Sequence, residues 1–102
     1  MQNNLEIENI EEMRLQQGID DVDLRIEIRE LHVGDFVKLT FLTGKTTFET
    51  VLVRITSIRG SAFRGKLAQR PASARLRRLA QTTLAFTAAH IHSLLKRQEV
   101  QR

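Results

Sequence analysis

The stretch Val33-Gly-Asp-Phe-Val-Lys-Leu-Thr-Phe41, followed by Val51-Leu-Val-Arg-Ile-Thr-Ser-Ile-Arg-Gly-Ser-Ala-Phe-Arg-Gly-Lys-Leu67, constrains the fold more than any other part of the chain. Apolar residues recur at every second position and glycine-centred turns separate the runs, the signature of consecutive antiparallel strands. The pattern predicts a mainly β protein: a small, strongly bent antiparallel sheet or partly closed barrel with a short C-terminal helical segment. It specifies no chemistry. Gly34-Asp35 is a turn, after which Val37, Leu39 and Phe41 share a face, with Lys38 and Thr40 opposite; the next turn is Thr43-Gly-Lys45. Val51, Val53 and Ile55 are in phase while Phe48, Leu52 and Ile58 are not, a conflict that a bulge resolves. Arg59-Gly-Ser61 makes a three-residue hairpin turn, and Gly65 inside the following strand marks a bend or the close approach of another backbone. Pro71 ends that strand.

Upstream, residues 1–20 form an acidic arm with its first nine residues disordered and a short helical pattern through Ile10, Met13 and Gln17, stopped by Gly18. Val22-Asp-Leu-Arg-Ile-Glu-Ile-Arg29 alternates strictly and predicts a half-buried strand with a mixed-charge outer face. Residues 21–97 make a single small domain and 98–102 a tail. One domain suits 102 residues.

The last third is two-sided. Leu76, Leu79, Ala80, Thr83, Leu84, Thr87, Ala88, Ile91, Leu94 and Leu95 fit one amphipathic helix, whereas Thr82-Thr-Leu-Ala-Phe-Thr87 has the β-branched and aromatic content of a strand. The pattern Gly34-Asp-Phe-Val-Lys, then Val53-x-Ile-x-x-Ile-x-Gly-x-x-Phe63-x-Gly-x-Leu67, then Leu84-x-Phe-x-x-x-His90-Ile91, resembles a group of small bacterial domains of unknown function. Those domains have Src-homology-like barrels, and some relatives look like immunity or regulatory proteins. The resemblance spans about Leu31 to Leu95; Phe48 stands where the group often has Trp, and Gln69-Arg70-Pro71 where it has Asn-x-Pro or Asp-x-Pro. It implies a short helix over 72–80, a closing strand over 82–87, a final helical turn beginning at His90-Ile91, and no catalytic residues.

Residues 1–50 hold eleven acidic and five basic residues, residues 51–102 one acidic and eleven basic. The chain is an electrical dipole in sequence, and in space too unless the acidic arm folds against the basic half. No run reaches the roughly 18 apolar residues of a membrane span, and the first residues lack the basic and apolar regions of a signal peptide; a cytoplasmic protein without membrane contact is expected. Zero cysteines exclude disulfides and thiolate metal sites.

Chemistry has few candidates. Among the histidines, His32, His90 and His92, the last two lie together on a strand but diverge on a helix, and only Glu99 is a nearby carboxylate; His90 is expected to cap or pack rather than bind metal. Ser57, Ser61, Ser73 and Ser93 sit in no nucleophile-elbow context. Asp20-Asp21-x-Asp23 lacks the glycine and remaining ligands of a calcium loop and is expected in a solvated turn. An enzyme, a cofactor and a small-molecule substrate are not expected. On a three-residue loop, Arg54 lies opposite Lys66 and Thr56 opposite Arg64, so Arg54, Arg64 and Lys66 form a positive outer patch that Arg70, Arg75, Arg77 and Arg78 extend. Like charges directly opposite are destabilising unless an anion relieves them, either a partner's or the chain's own Asp23, Glu27 and Glu30. Two functions follow: a non-catalytic protein-interaction or regulatory module with a protein partner or a second copy, and, as the alternative, nucleic-acid binding by the basic half. Against the alternative, Phe36, Phe41, Phe48, Phe63 and Phe86 all have core roles open to them, and only Phe36, out of phase with Val37, has the option of exposure.

Overall fold

A computed structural model describes residues 6–95. Two N-terminal helices precede a five-strand antiparallel sheet: α1 (Ile10–Gln16), α2 (Val22–Arg29), β1 (Phe36–Leu42), β2 (Phe48–Arg59), β3 (Ala62–Leu67), α3 (Ala74–Arg77), β4 (Leu84–Thr87), a 3-10 turn (Ala88–His90) and β5 (Ile91–Leu95). The spatial order is β4-β3-β2-β1-β5, so the two edge strands are consecutive in sequence and joined by three residues. No ladder links them among the described residues: the sheet stays open and does not close into a barrel.

α1 starts where Asn9 accepts the Glu12 N–H at 2.9 Å, carries Glu11 and Glu12 in its first turn, and ends before Gly18, whose φ of +74° is the left-handed stop glycine adopts freely. The residues before it are not all disordered. Ile7 bridges Phe41, the Glu8 N–H donates to the Thr40 carbonyl and the Leu42 N–H to the Glu6 carbonyl, which extends the sheet beside β1. Residues 1–5 of the expected disordered arm, and the 98–102 tail, lie outside the described residues.

Val22–Arg29 is a helix, not the strand its alternation predicts. Asp21 caps it, accepting the Leu24 N–H at 3.0 Å, so the acidic cluster that precedes it is a helix start rather than a plain solvated turn. At about 100° per residue, Val22 and Ile26 fall on one side and Leu24 and Ile28 on the opposite side. Ile28 enters the core and Leu24 packs against it; Val22 and Ile26 are each 48% exposed. Strict alternation here records a helix that is apolar on two sides.

The sheet follows the expected phase through its middle. Val37, Leu39, Phe41, Val51, Val53, Ile55, Phe63, Leu84, Phe86 and Ile91 form the inner face, closed by Ile28 and by Leu76 of α3. Phe63 and Phe86, paired across β3 and β4, stack with centroids 5.5 Å apart, an arrangement that adds about 0.5–1.5 kcal/mol beyond burial. Arg54 does lie opposite Lys66, by a different route from the one expected. The hairpin turn has two residues, Gly60-Ser61, with Arg59 paired to Ala62; a bulge at Thr56 then restores the register. Ser57, not Thr56, therefore faces Arg64, and the bulge turns Ile58 back toward the core. Gly60 takes the first turn position with φ +58°, where a tight hairpin demands a left-handed residue.

Two further expectations fail. Ile91 begins not a helical turn but β5, which pairs with β1 from Phe36↔Leu95 to Leu39↔Ile91, so among the described residues the helical content after β3 is α3 and the 3-10 turn alone. The bare edge of β1 supplies the hydrogen bonds that local propensity does not register. Phe48 is 53% exposed because it pairs with Leu42 on the outer face, while Phe36 is half-buried there.

Candidate functional site

The register builds one surface. Outward-facing positions run Lys66–Arg54–Phe36–Leu95 across β3, β2, β1 and β5, with Arg64 two residues from Lys66 and Lys38 two from Phe36. Lys38, Arg54, Arg64 and Lys66 are exposed, and no ion pair reaches them among the described residues. The five strands contain one acidic residue, Glu49. Glu49 pairs with inward-facing Phe41, and its carboxylate accepts the Ala72 and Ser73 N–H groups, well away from the outer face. Asp35, just before β1, accepts the His32 N–H.

The rest of the expected basic patch is placed elsewhere. Arg70, exposed, sits in the segment that runs back along β2, and α3 packs Leu76 into the core beside the β1–β2 turn. Arg75 donates to the Thr43 carbonyl at 3.1 Å, and Arg77 to the Pro71 and Ala72 carbonyls at 3.0 and 2.8 Å. Arg78 follows as the exposed C-cap. Arg75 and Arg77 thus tie loops together at the far end of β2. The structure groups Arg54, Arg64 and Lys66 and does not group Arg75 or Arg77 with them.

The acid-rich helices lie on the other side of the sheet. Residues 6–35 hold ten acidic and three basic residues, residues 36–95 one acidic and ten basic. Ile28, Leu24 and Leu31 hold the helical layer against the inner face, and Arg14 ties α1 to β5 through the His92 carbonyl and to α2 through Asp21. Arg25 pairs with Asp20 at 2.9 Å. Helical charge is thus partly balanced within its own layer, and the sheet separates the helices from the outer cations.

Between α1, α2, the Gly60-Ser61 turn and the 3-10 turn lies a cavity of about 390 Å³, with Ile10, Leu24, Ile28, Ile58 and Phe63 in its wall and Leu15 and Ile19 exposed beside it. Sequence reasoning missed it because it read the wall element α2 as a strand. His90 acts as expected of a cap: its Nδ1 accepts the Thr87 N–H at 3.0 Å, and burial lowers its pKa from the ordinary 6.5. His92 Nδ1 lies 3.1 Å from Ser93 Oγ. Among the described residues no three His, Asp or Glu side chains converge to hold a metal ion, and no helix is long and apolar enough to cross a membrane.

Comparison with protein-family models, with curated proteins and with solved structures finds no significant match.

Proposed function

We propose that this chain is a non-catalytic interaction module that works by protein–protein contact, and that its partner is a second copy of itself held through the outward side of α2. The carrying observation is the two-sided apolar character of that helix: Val22 and Ile26, 48% exposed, stand opposite the buried Ile28. Four of the seven exposed large apolar side chains of the described chain fall between Leu15 and Ile26, and such clusters on a small domain mark contact surfaces. The borders of the α2 stripe favour self-recognition. Helical spacing puts Arg25 and Arg29 along one border and Asp23 and Glu30 along the other. Two copies related by a two-fold axis parallel to α2 bring each basic border against the other's acidic one. The strand order, with consecutive edge strands joined by a 3-10 turn, supports the finer reading of an open Src-homology-like architecture, a scaffold that acts by contact.

Sedimentation equilibrium from about 10 μM to about 1 mM, a range that captures even weak association, tests this. The wild type is expected to dimerise. Ile26→Lys is expected to be monomeric, with a thermal melt matching the wild type's at concentrations too low for dimerisation, since Lys at 26 finds Asp23 and Glu30 one helical turn away on either side. A wild type that stays monomeric throughout, or a dimer that Ile26→Lys leaves intact, refutes the proposal.

A further inference from the structure

A separate observation concerns the opposite side of the molecule: the outward positions of the five strands carry Lys38, Arg54, Arg64 and Lys66 and no acidic residue, Glu8 lying beside Thr40 toward the other end of β1. We infer that this face binds single-stranded nucleic acid, with Arg54, Arg64, Lys66 and Lys38 on phosphates and Phe36 stacking a base.

Three features converge on that ligand. The first is repulsion built into the register. Arg54 and Lys66 are directly opposite, and Arg64 is two residues from Lys66 on the same side of β3, an arrangement that costs stability in the free protein and that an anion relieves. The acidic residue of the strands, Glu49, is engaged by the Ala72 and Ser73 N–H groups, and Asp35 by that of His32.

The second is the place of Phe36. It is half-buried, directly opposite Arg54 on one side and Leu95 on the other, so one row perpendicular to the strands reads cation, cation, aromatic, apolar. Neighbouring strands are about 4.8 Å apart, which puts an aromatic face within one strand of a phosphate-binding guanidinium. Sheet platforms that combine cations with an aromatic ring accept unstacked bases. A duplex has its bases stacked on one another and would leave Phe36 without a role. Among the described residues no helix or ribbon projects from this face to enter a groove.

The third is the location of the competing charge. Seven of the ten acidic residues of 6–35, Glu11 to Glu30, belong to a layer held against the inner face by Ile28, Leu24 and Leu31, so the sheet stands between them and an incoming phosphate chain, while Glu6 and Glu8 flank β1 beside Leu42 and Thr40, at the end away from Phe36. An acidic arm lying over the cations would have disfavoured this ligand.

Fluorescence anisotropy with a labelled mixed-sequence 12-nucleotide single strand, its duplex, and poly-glutamate, across 25–200 mM salt, tests the inference on the full chain. The single strand is expected to bind more tightly than the other two. Three to four neutralised phosphates give a log–log salt slope of about −2 to −3, at −0.7 per phosphate. Arg54→Thr, at an exposed position where Thr suits a strand, is expected to flatten the slope by about 0.7 without loss of fold. Phe36→Leu keeps the apolar contact and removes the π face; it is expected to weaken binding at least fivefold while leaving the slope unchanged. No single-strand binding at 25 mM salt, equal binding of the duplex or of poly-glutamate, or a Phe36→Leu protein that binds like wild type would each overturn the assignment. Repeating the titration with Ile26→Lys separates this face from α2: binding persists there whether or not the chain dimerises.

Discussion

Gly65 is the position where one added carbon does most damage. A Cβ built on it would lie 2.6 Å from the Arg54 carbonyl oxygen and 2.7 Å from Val53 Cγ1, both far inside van der Waals contact. Val53 sits fully buried on the inner face, and the Arg54 carbonyl belongs to β2, with partners on either side in β1 and β3. Neither can retreat without disturbing the centre of the sheet. Overpacking of this kind costs about 1–3 kcal/mol, and with backbone as one of the two obstacles the upper end applies. Ala also restricts the unfolded chain, which offsets about 0.4–1 kcal/mol. The net expectation for Gly65→Ala is a loss of about 2 kcal/mol. For a domain of this size that lowers the melting temperature by about 8–16 °C, and with a urea slope of about 1.5 kcal/mol/M it shifts the midpoint by about 1.3 M. Val53→Ala separates the two obstacles, because it deletes the side-chain clash and leaves the carbonyl. More than half of the Gly65→Ala penalty is expected to persist in that background. A Gly65→Ala protein within about 0.5 kcal/mol of wild type would refute the close approach of β2 and β3 at this point.

His90 gives a pH prediction. Its folded pKa is lowered by burial, and its Nδ1 must be unprotonated to accept the Thr87 N–H, so the unfolded chain takes up the proton first as pH falls. The stability it contributes is complete above about pH 6.5 and lost as pH drops through the lower folded value; urea midpoints are expected to fall from pH 7.5 to 5.5, and His90→Gln to flatten that slope. An identical slope in the variant would refute the coupling. Glu49→Ala removes the acceptor of two N–H groups at the start of α3 and is expected to cost about 1–2 kcal/mol, with faster hydrogen exchange at Ala72 and Ser73. Unchanged exchange there would mean that Glu49 does not dock the loop.

Where two signals agree, the sequence is a good guide. Val37, Leu39 and Phe41 alternate between two glycine turns, and they form the inner face of β1. Gly65 breaks a strand pattern at the point where another backbone passes. Arg54 opposite Lys66 is a subtler case: a turn shorter by one residue and a bulge at Thr56 cancel, so the pair is legible while the residues between it and the turn are not. Val22–Arg29 misleads because a helix with two apolar sides has the same alternation as a strand with one, and only the Asp21 cap breaks the tie. β5 is illegible locally because its pairing with β1 is made over more than fifty residues. For the candidate surfaces the same contrast holds: the cations on β2 and β3 follow from register, whereas the exposed stripe of α2 exists only once the element is a helix.

The edge of β1 that faces away from β2 is shared between the two ends of the described chain. β5 covers Phe36 to Leu39, and Ile7 takes over at Phe41. During synthesis β1, β2 and β3 emerge together and pair over short separations, which forms a meander early. The strand that must finish it is the last of the five to be made. Until residues 91–95 arrive, a growing chain carries β1 with an uncovered row of amide and carbonyl groups, the kind of edge on which nascent polypeptides join one another. The last few described residues, which add little to the core beyond Ile91, are thus the ones that decide whether a partly made molecule stays apart from its neighbours.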